Sequence, residues 1–251
     1  MATREWDAAT YDRVSDPQVR WGQAVLERLQ APADAVVLDA GCGTGRVTEL
    51  LVQQVPRGRV VAVDASRRML AKAAERLAAY GDRVRFVVAD LARPLAGVGP
   101  VDAVVSTATF HWITDHDALF ANLAAVLRPG GRLVAQCGGA GNVARISAAV
   151  AEVGDGWAGP WHFATAEQSA ARLHKSGFAP VSAWLEDQPV RFRKREEFTE
   201  YLATVVLGAH LDRLAPQARP GFVEAVTTRL PELVVDYVRL NLVATRATEP
   251  L

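Results

Sequence analysis

Apolar residues along the first half of the chain follow two alternating patterns: short unbroken runs, and residues three or four positions apart. Val36-Val37-Leu38 is a run of the kind carried by a strand covered on both faces, and predicts a first strand over 35–39. Val47, Leu50, Leu51 and Val55 then recur at helical spacing until Pro56-Arg57-Gly58 stops the helix. A second run, Arg59 to Val63, ends in Asp64. Ser66 is placed to cap a helix with Met69, Leu70, Ala73, Ala74 and Leu77 on its apolar face, ended by Gly81. Val84 to Ala89, followed by Asp90, predicts a third strand and Val101 to Ser106 a fourth. Asp115 caps a helix carrying Leu119, Phe120, Leu123 and Leu127; a turn at Arg128-Pro129-Gly130-Gly131 leads into a fifth strand, Arg132 to Cys137. Strands and helices alternating in this order predict a mainly parallel, doubly wound α/β sheet.

Beyond Cys137 the rhythm changes. Gly138-Gly139-Ala140-Gly141 is a flexible exit, Arg145 to Val153 reads as a helix, and residues 154–160 as a glycine-rich loop holding Trp157. Thr165 and Gln168 form a capping box for a helix that Gly177 ends, and Pro180 to Glu186 reads as a strand. Two amphipathic helices follow, Arg195 to Leu211 and another from Pro216 carrying Phe222, Val223, Val226 and Leu230. Val238, Leu240, Leu242 and Ala244 alternate with Tyr237, Arg239, Asn241 and Val243, which predicts a last strand. The expected organisation is one domain over 1–251. It has an N-terminal helical lid segment (1–30), a core with a seven-stranded sheet (31–193 and 232–251), and a helical cap inserted near the C-terminus (194–231).

Composition narrows the partners. The 251 residues are half hydrophobic, enough for a substantial core. Lys and Arg number 28 against 28 Asp and Glu, so no global field favours a nucleic acid or a membrane surface. Cys42 and Cys137 show no metal or redox spacing. The first residues lack a signal-peptide core, and no apolar stretch reaches the ~18 residues needed to span a bilayer. The expectation is a cytoplasmic protein acting on a small molecule, with no nucleic-acid or membrane partner; the oligomeric state is not readable.

The candidate chemistry sits at the strand ends. Asp39-Ala40-Gly41-Cys42-Gly43-Thr44-Gly45 must turn the chain sharply from the first strand into a helix, and Asp39 stands at the strand's carboxyl end, where open α/β sheets bind ligands, so that it is read with Gly41 and Gly43 as part of a cofactor site. Glycines permit that turn and let a ligand approach the backbone, while the loop N–H groups and the helix N-terminus favour a negative group such as a carboxylate. Asp64, at the end of the second strand, is placed to accept both hydroxyls of a ribose. Asp90 ends the third strand, where a carboxylate reaches an exocyclic amine such as adenine N6, and Ala65, Met69 and Leu91 offer apolar surface to sandwich the base. The glycine spacing is G-x-G-x-G, not the G-x-G-x-x-G of dinucleotide enzymes.

This set, completed by the Asp90-Leu91 pair and the Leu127 to Gly131 turn, resembles the class I S-adenosylmethionine methyltransferases from Trp6 to Cys137. Within them, Trp6-Asp7-x-x-x-Tyr11 and Thr107-Ala108-Thr109-Phe110-His111-Trp112-Ile113 are most similar to trans-aconitate methyltransferase and the juvenile hormone acid methyltransferases. The resemblance implies a Rossmann-like fold, S-adenosyl-L-methionine as donor with S-adenosyl-L-homocysteine as product, no metal, and a small-molecule acceptor. By position it implies that Tyr11 approaches the methionine end of the donor and Thr107 the sulfonium. Gln18 and Trp112 match acceptor-site positions of the juvenile hormone type, and Arg20 an arginine of the trans-aconitate type.

His111 is the ionisable side chain of the fourth-strand segment. Its usual pKa suits a general base for a hydroxyl or amine acceptor; the alternative is a scaffold histidine that only shapes the pocket. Trp112 reads as a pocket wall and His116 as a solvated surface group. Trp157, Trp161, His162 and Phe163 read either as a lid over the acceptor or as ordinary packing. The basic run Arg191, Arg193, Lys194 and Arg195 reads as a solvated face unless one arginine turns inward to clamp a carboxylate. The expected activity is methyl transfer to a small molecule, carboxylate O-methylation first, with O-, N- or C-methylation of a secondary metabolite as the alternative. A nicotinamide oxidoreductase and a catalytically silent donor-binding domain are the readings from other classes.

Overall fold

The computed structural model describes residues 16–248, with side chains from Arg20 onward. In chain order the elements that build the core are α1 (Asp16–Leu29), β1 (Val36–Ala40), α2 (Arg46–Gln54), β2 (Arg59–Asp64), α3 (Arg67–Arg76), β3 (Val84–Val88), β4 (Val101–Thr107), α4 (His116–Val126) and β5 (Leu127–Gly138). Then come α5 (Ala144–Val153), α6 (Ala166–Lys175), β6 (Phe178–Asp187), β7 (Val190–Arg191), α7 (Arg195–Tyr201), α8 (Gly208–Leu211), α9 (Arg219–Thr228), β8 (Val234–Val235) and β9 (Val238–Arg246). The seven-stranded sheet runs in the order β3-β2-β1-β4-β5-β9-β6. Strands β1 to β5 are parallel, and β9 pairs antiparallel with both β5 and β6. The order reverses between β1 and β4, the place where open α/β sheets bind ligands beyond the carboxyl ends of their strands.

The period-2 alternation of each strand sorts the core onto two faces. Val37, Val60, Ala62, Val105 and Val134 pack with Val25 and Leu29 of α1, Leu51 of α2 and Leu70 of α3. On the other face Leu38, Val61, Val104 and Leu133 pack with Phe120 and Leu123 of α4 and Leu173 of α6. All of these are buried, and each apolar side chain removed from water contributes roughly 1.5–3 kcal/mol. The helix starts follow local chemistry: Ser66 accepts from the Met69 N–H, Asp115 from Ala118, and Thr165 with Gln168 closes a reciprocal capping box.

A third apolar cluster, centred on Phe198, Tyr201, Leu202 and Val226, joins α5, α7 and α9. The two-residue ladder β7–β8 ties the two ends of this helical segment together beside the sheet. Two local expectations are corrected. Arg128-Pro129-Gly130-Gly131 is not a free turn: β5 starts at Leu127 and absorbs three extra residues as an irregularity between the pairs Val101↔Leu127 and Ala103↔Arg132. The single helix expected over 195–211 is interrupted by a π-helical turn at Leu202–Val206, closed by the Leu207 N–H on the Leu202 carbonyl at 2.7 Å. Among the described residues no helix is long and apolar enough to cross a membrane, and no group of three or more His, Cys, Asp or Glu is placed to hold a metal ion.

Candidate active site

A cavity of about 950 Å³ opens at the carboxyl ends of β1, β2, β3 and β4 and runs beneath the helical segment around Val205 and Val206. One end is lined by Gly41, Gly43, Asp64, Ala65, Met69, Asp90 and Leu91; the other by Thr107, His111, Trp112, Trp161 and Phe163. These are the positions the sequence singled out, and one space gathers them.

The glycine loop works by close approach. Gly41 has φ +84°, and a Cβ there would lie 2.2 Å from both Cγ2 and Oγ1 of Thr109. Thr109 is held in place because its one hydroxyl proton is shared between the carbonyls of Gly41 and Thr107, each at 3.1 Å. The loop and the segment after β4 therefore touch only because residue 41 has no side chain. Four N–H groups of the loop are engaged within the protein. Gly41 and Cys42 both donate to the Val63 carbonyl, Gly43 to Asp64 Oδ2 at 2.9 Å, and Gly45 to the Cys42 carbonyl.

The three strand-end acids differ. Asp39 does not reach the cavity wall. Its carboxylate lies beneath the loop, 2 % exposed, and accepts the Thr48 hydroxyl at 2.6 Å. Burial pushes its pKa up to about 6; the Thr48 hydrogen bond opposes this rise and repulsion from Asp64 adds to it. From there Asp39 positions the loop through Thr48. Asp64 lines the cavity and pins two turns at once, Oδ2 on Gly43 and Oδ1 on the Ser66 N–H at 2.8 Å. Asp90 is exposed on the cavity rim, with Oδ1 on the Ala92 N–H at 2.9 Å.

His111 lies in a short 3₁₀ turn, Phe110–Trp112, at the far end. It is buried, and its Nδ1 accepts the Gly138 N–H at 3.2 Å. A nitrogen that accepts a backbone N–H carries no proton, so in the neutral ring the proton is on Nε2. Burial, then the nearby charges of Arg239 and His116, hold the pKa of His111 well below the ordinary value. The neutral ring thus carries its proton on Nε2. Thr107 Oγ1 is buried at the cavity wall and, among the described residues, has no hydrogen-bond partner.

Aromatic rings wall the far end. Trp112 and Trp161 have centroids 5.9 Å apart, Trp161 and Phe163 stack at 5.7 Å, and Phe163 stacks on His111 at 5.8 Å. Trp157 is covered by Arg213 at 4.2 Å, and Arg213 pairs with Asp155 at 2.7 Å. His116 is not a surface group; it is buried, with Nε2 on the Phe110 carbonyl at 3.0 Å. The basic run Arg191 to Arg195 is exposed and does not line the cavity. Arg20 is also exposed and off the wall; Tyr11 and the Gln18 side chain lie outside the described residues. Sequence reasoning gave no role to Trp21, Asn142, Tyr237 or Arg239, all of which line the cavity. Tyr237 and Arg239 stood in view as polar partners in the alternation of the last strand, but nothing local says that this face turns inward.

A family profile described as "Methyltransferase domain" matches residues 37–131. Trans-aconitate 2-methyltransferase of Acidovorax ebreus is 30% identical over 97% of this chain and 99% of that protein. The enzyme of the same name from Variovorax paradoxus is 39% identical over 53% of this chain, and that match spans about half of its length, 49%. Among solved structures, Haemonchus contortus phosphoethanolamine N-methyltransferase 2 in complex with phosphomonomethylethanolamine and S-adenosylhomocysteine superposes with a TM-score of 0.65 at 22% identity. That superposition covers 96% of this chain and 57% of the other, a likeness of fold.

Proposed function

Since the chain belongs to the S-adenosylmethionine-dependent methyltransferases, we propose that it methylates a carboxylate of a small organic acid. Bound in the cavity, S-adenosylmethionine supplies an electrophilic methyl group on a sulfonium and a neutral thioether leaving group. Asp64, on the cavity wall at the end of β2, holds the ribose hydroxyls, and Asp90 on the rim takes the adenine amine. Ala65, Met69 and Leu91 flank the base, and Gly41 and Gly43 let the donor lie against the backbone. The buried hydroxyl oxygen of Thr107, on the wall at the end of β4, stabilises the positive sulfur. Asp39 acts from below, through Thr48, to keep the loop in shape.

The observation that carries the acceptor class is the tautomer of His111. A hydroxyl or amine acceptor needs a group that removes a proton, and the ring offers Nε2–H. A carboxylate is already ionised at neutral pH and receives a hydrogen bond from that N–H. The chain's work is then alignment and exclusion of water by Trp112, Trp161 and Phe163. Alignment of this kind is worth about 7–11 kcal/mol in favourable cases. The trans-aconitate relatives support the same reading. Two buried, unpaired cysteines support a reducing compartment, the cytoplasm.

The test is transfer of labelled methyl from S-adenosylmethionine to a panel of small carboxylic acids, alcohols and amines. Label in base-labile esters, at a rate level between about pH 6.5 and 8, is the expected result. Transfer confined to alcohols or amines, with a rate rising through that range, refutes the carboxylate reading.

A further inference from the structure

Asn142 stands in the loop between β5 and α5, buried and on the cavity wall. The Val238 N–H at the start of β9 donates to its Oδ1 at 3.0 Å, so the acceptor end of the amide is engaged by the protein and the NH2 end points the other way. That NH2 lies against Gly138: a Cβ there would be 2.9 Å from Nδ2 of Asn142 and 2.8 Å from Cε1 of Phe163. The same Gly138 donates its N–H to Nδ1 of His111, and Phe163 stacks on the His111 ring. Amide and imidazole thus meet around one glycine, and the close packing depends on the missing side chain.

The two residues are held in the same way. Each has one polar end fixed on the backbone, Nδ1 on Gly138 and Oδ1 on Val238. Each keeps a donor, Nε2–H and the Nδ2 amide, that no protein group takes up among the described residues, and both nitrogens are open to the cavity. Charge does not supply a carboxylate grip on this wall: Asp64, Asp90, Asp115 and Asp212 outnumber Arg93 and Arg239. A neutral N–H donor, roughly half as strong as a charged one, holds a carboxylate oxygen without cancelling its charge, so the group it holds stays nucleophilic.

We propose that Asn142 binds the acceptor, its Nδ2–H and the Nε2–H of His111 forming a neutral two-donor clamp on the reacting carboxylate. One carboxylate oxygen accepts both hydrogen bonds and the other attacks the methyl carbon. The new O–C bond forms as the C–S bond breaks, and the electron pair of that bond stays on sulfur, giving an ester and a neutral thioether. No proton moves, so neither donor changes its protonation state. This rests on the carboxylate reading above and adds the second donor that fixes the direction of attack.

The experiment compares wild type, Asn142→Asp and Asn142→Ala on benzoate, butyrate and trans-aconitate, and on the alcohols and amines of matching carbon skeleton. Asn142→Asp keeps an oxygen for the Val238 N–H and exchanges the NH2 for an acceptor; Asn142→Ala removes both. Asn142→Asp is expected to lose at least about 30-fold in kcat/KM on the acids that wild type esterifies, the worth of a hydrogen bond to a charged group, with no loss of calorimetric affinity for S-adenosylmethionine. A second readout uses wild type alone. The chain has three asparagines, Asn122, Asn142 and Asn241, so isotopic labelling of their side-chain amides gives few proton signals, and that of Asn142 is identified by its loss in either variant. Adding these acids in the presence of S-adenosylhomocysteine should move the Asn142 amide protons downfield. An Asn142→Asp protein with wild-type kcat/KM beside an impaired Asn142→Ala shows that only the tie to Val238 matters; that result, or an amide signal unmoved by the acids, overturns the clamp and leaves the carboxylate reading standing. A wild type that methylates alcohols or amines and no acid overturns both.

Discussion

Replacing Gly41 by alanine adds a single carbon where the structure has no room for it. The new Cβ would lie 2.2 Å from two atoms of Thr109 and 2.6 Å from a third, all closer than real contacts allow. Thr109 has no easy retreat, since its hydroxyl is tied to two carbonyls at 3.1 Å. The backbone adds to the cost, because φ +84° places an alanine in a region that costs roughly 1–2 kcal/mol. Overpacking of this kind typically costs a further 1–3 kcal/mol, so the expected loss of stability is about 2–5 kcal/mol. The relief available is to push the loop away from the segment after β4, which moves the two walls of the donor end apart. Donor affinity is therefore expected to fall by at least about tenfold, the equivalent of 1.4 kcal/mol. Gly43→Ala is the internal control. That residue also has a positive φ, +55°, but nothing lies within 4 Å of its Cβ position, so only the backbone cost of roughly 1 kcal/mol applies. The assay is calorimetric titration with S-adenosylmethionine alongside urea unfolding of both variants. Equal losses in the two variants, or a Gly41→Ala protein that binds and unfolds like wild type, would refute the close-approach argument.

Two further outcomes follow from charge. Burial holds His111 well below 6.5 and His116 at about 4, so both bind in the unfolded chain a proton that the folded chain refuses. Asp39, held up to about 6, acts in the opposite direction. Near pH 5 the balance of two against one leaves about one extra proton on the unfolded chain, so stability should fall by roughly 1.4 kcal/mol per pH unit as acid is added from about pH 6 to 4. Urea midpoints across that range test it, and a midpoint that holds or rises toward pH 4 counts against the buried neutral histidines. Asp64→Ala removes the groups that pin Gly43 and Ser66 as well as the proposed ribose contact, and should weaken donor binding by at least about 30-fold. A dissociation constant like that of wild type would remove Asp64 from the donor site.

The elements were legible where their causes are local. Ser66, Asp115 and Thr165 were recognisable as caps because the N–H groups they accept lie three residues ahead. The buried strand Val36 to Ala40 and the turn that follows were visible because an apolar run and positive-φ glycines leave marks in the sequence itself. What stayed hidden depends on distant partners. The orientation of His111 is set by the N–H of Gly138, 27 residues on, and a lone histidine in a sequence carries no sign of its tautomer. His116 followed a polar pair and read as solvated, yet the aromatic ring of Phe120 and the carbonyl of Phe110 enclose it. Asp39 read as a ligand because it stands at a strand end, and only Thr48 on the next helix shows that its carboxylate faces down. The alternation around Arg239 marks a strand without saying which face turns inward; Trp21, more than two hundred residues earlier, covers the guanidinium.

The most direct test of the central claim is a calorimetric titration of the protein with S-adenosylmethionine and, separately, with NADH. Saturable one-to-one binding of S-adenosylmethionine with no heat from NADH is the predicted result. Binding of NADH with none of S-adenosylmethionine would contradict the account and move the glycine loop and its strand-end acids to a different chemistry.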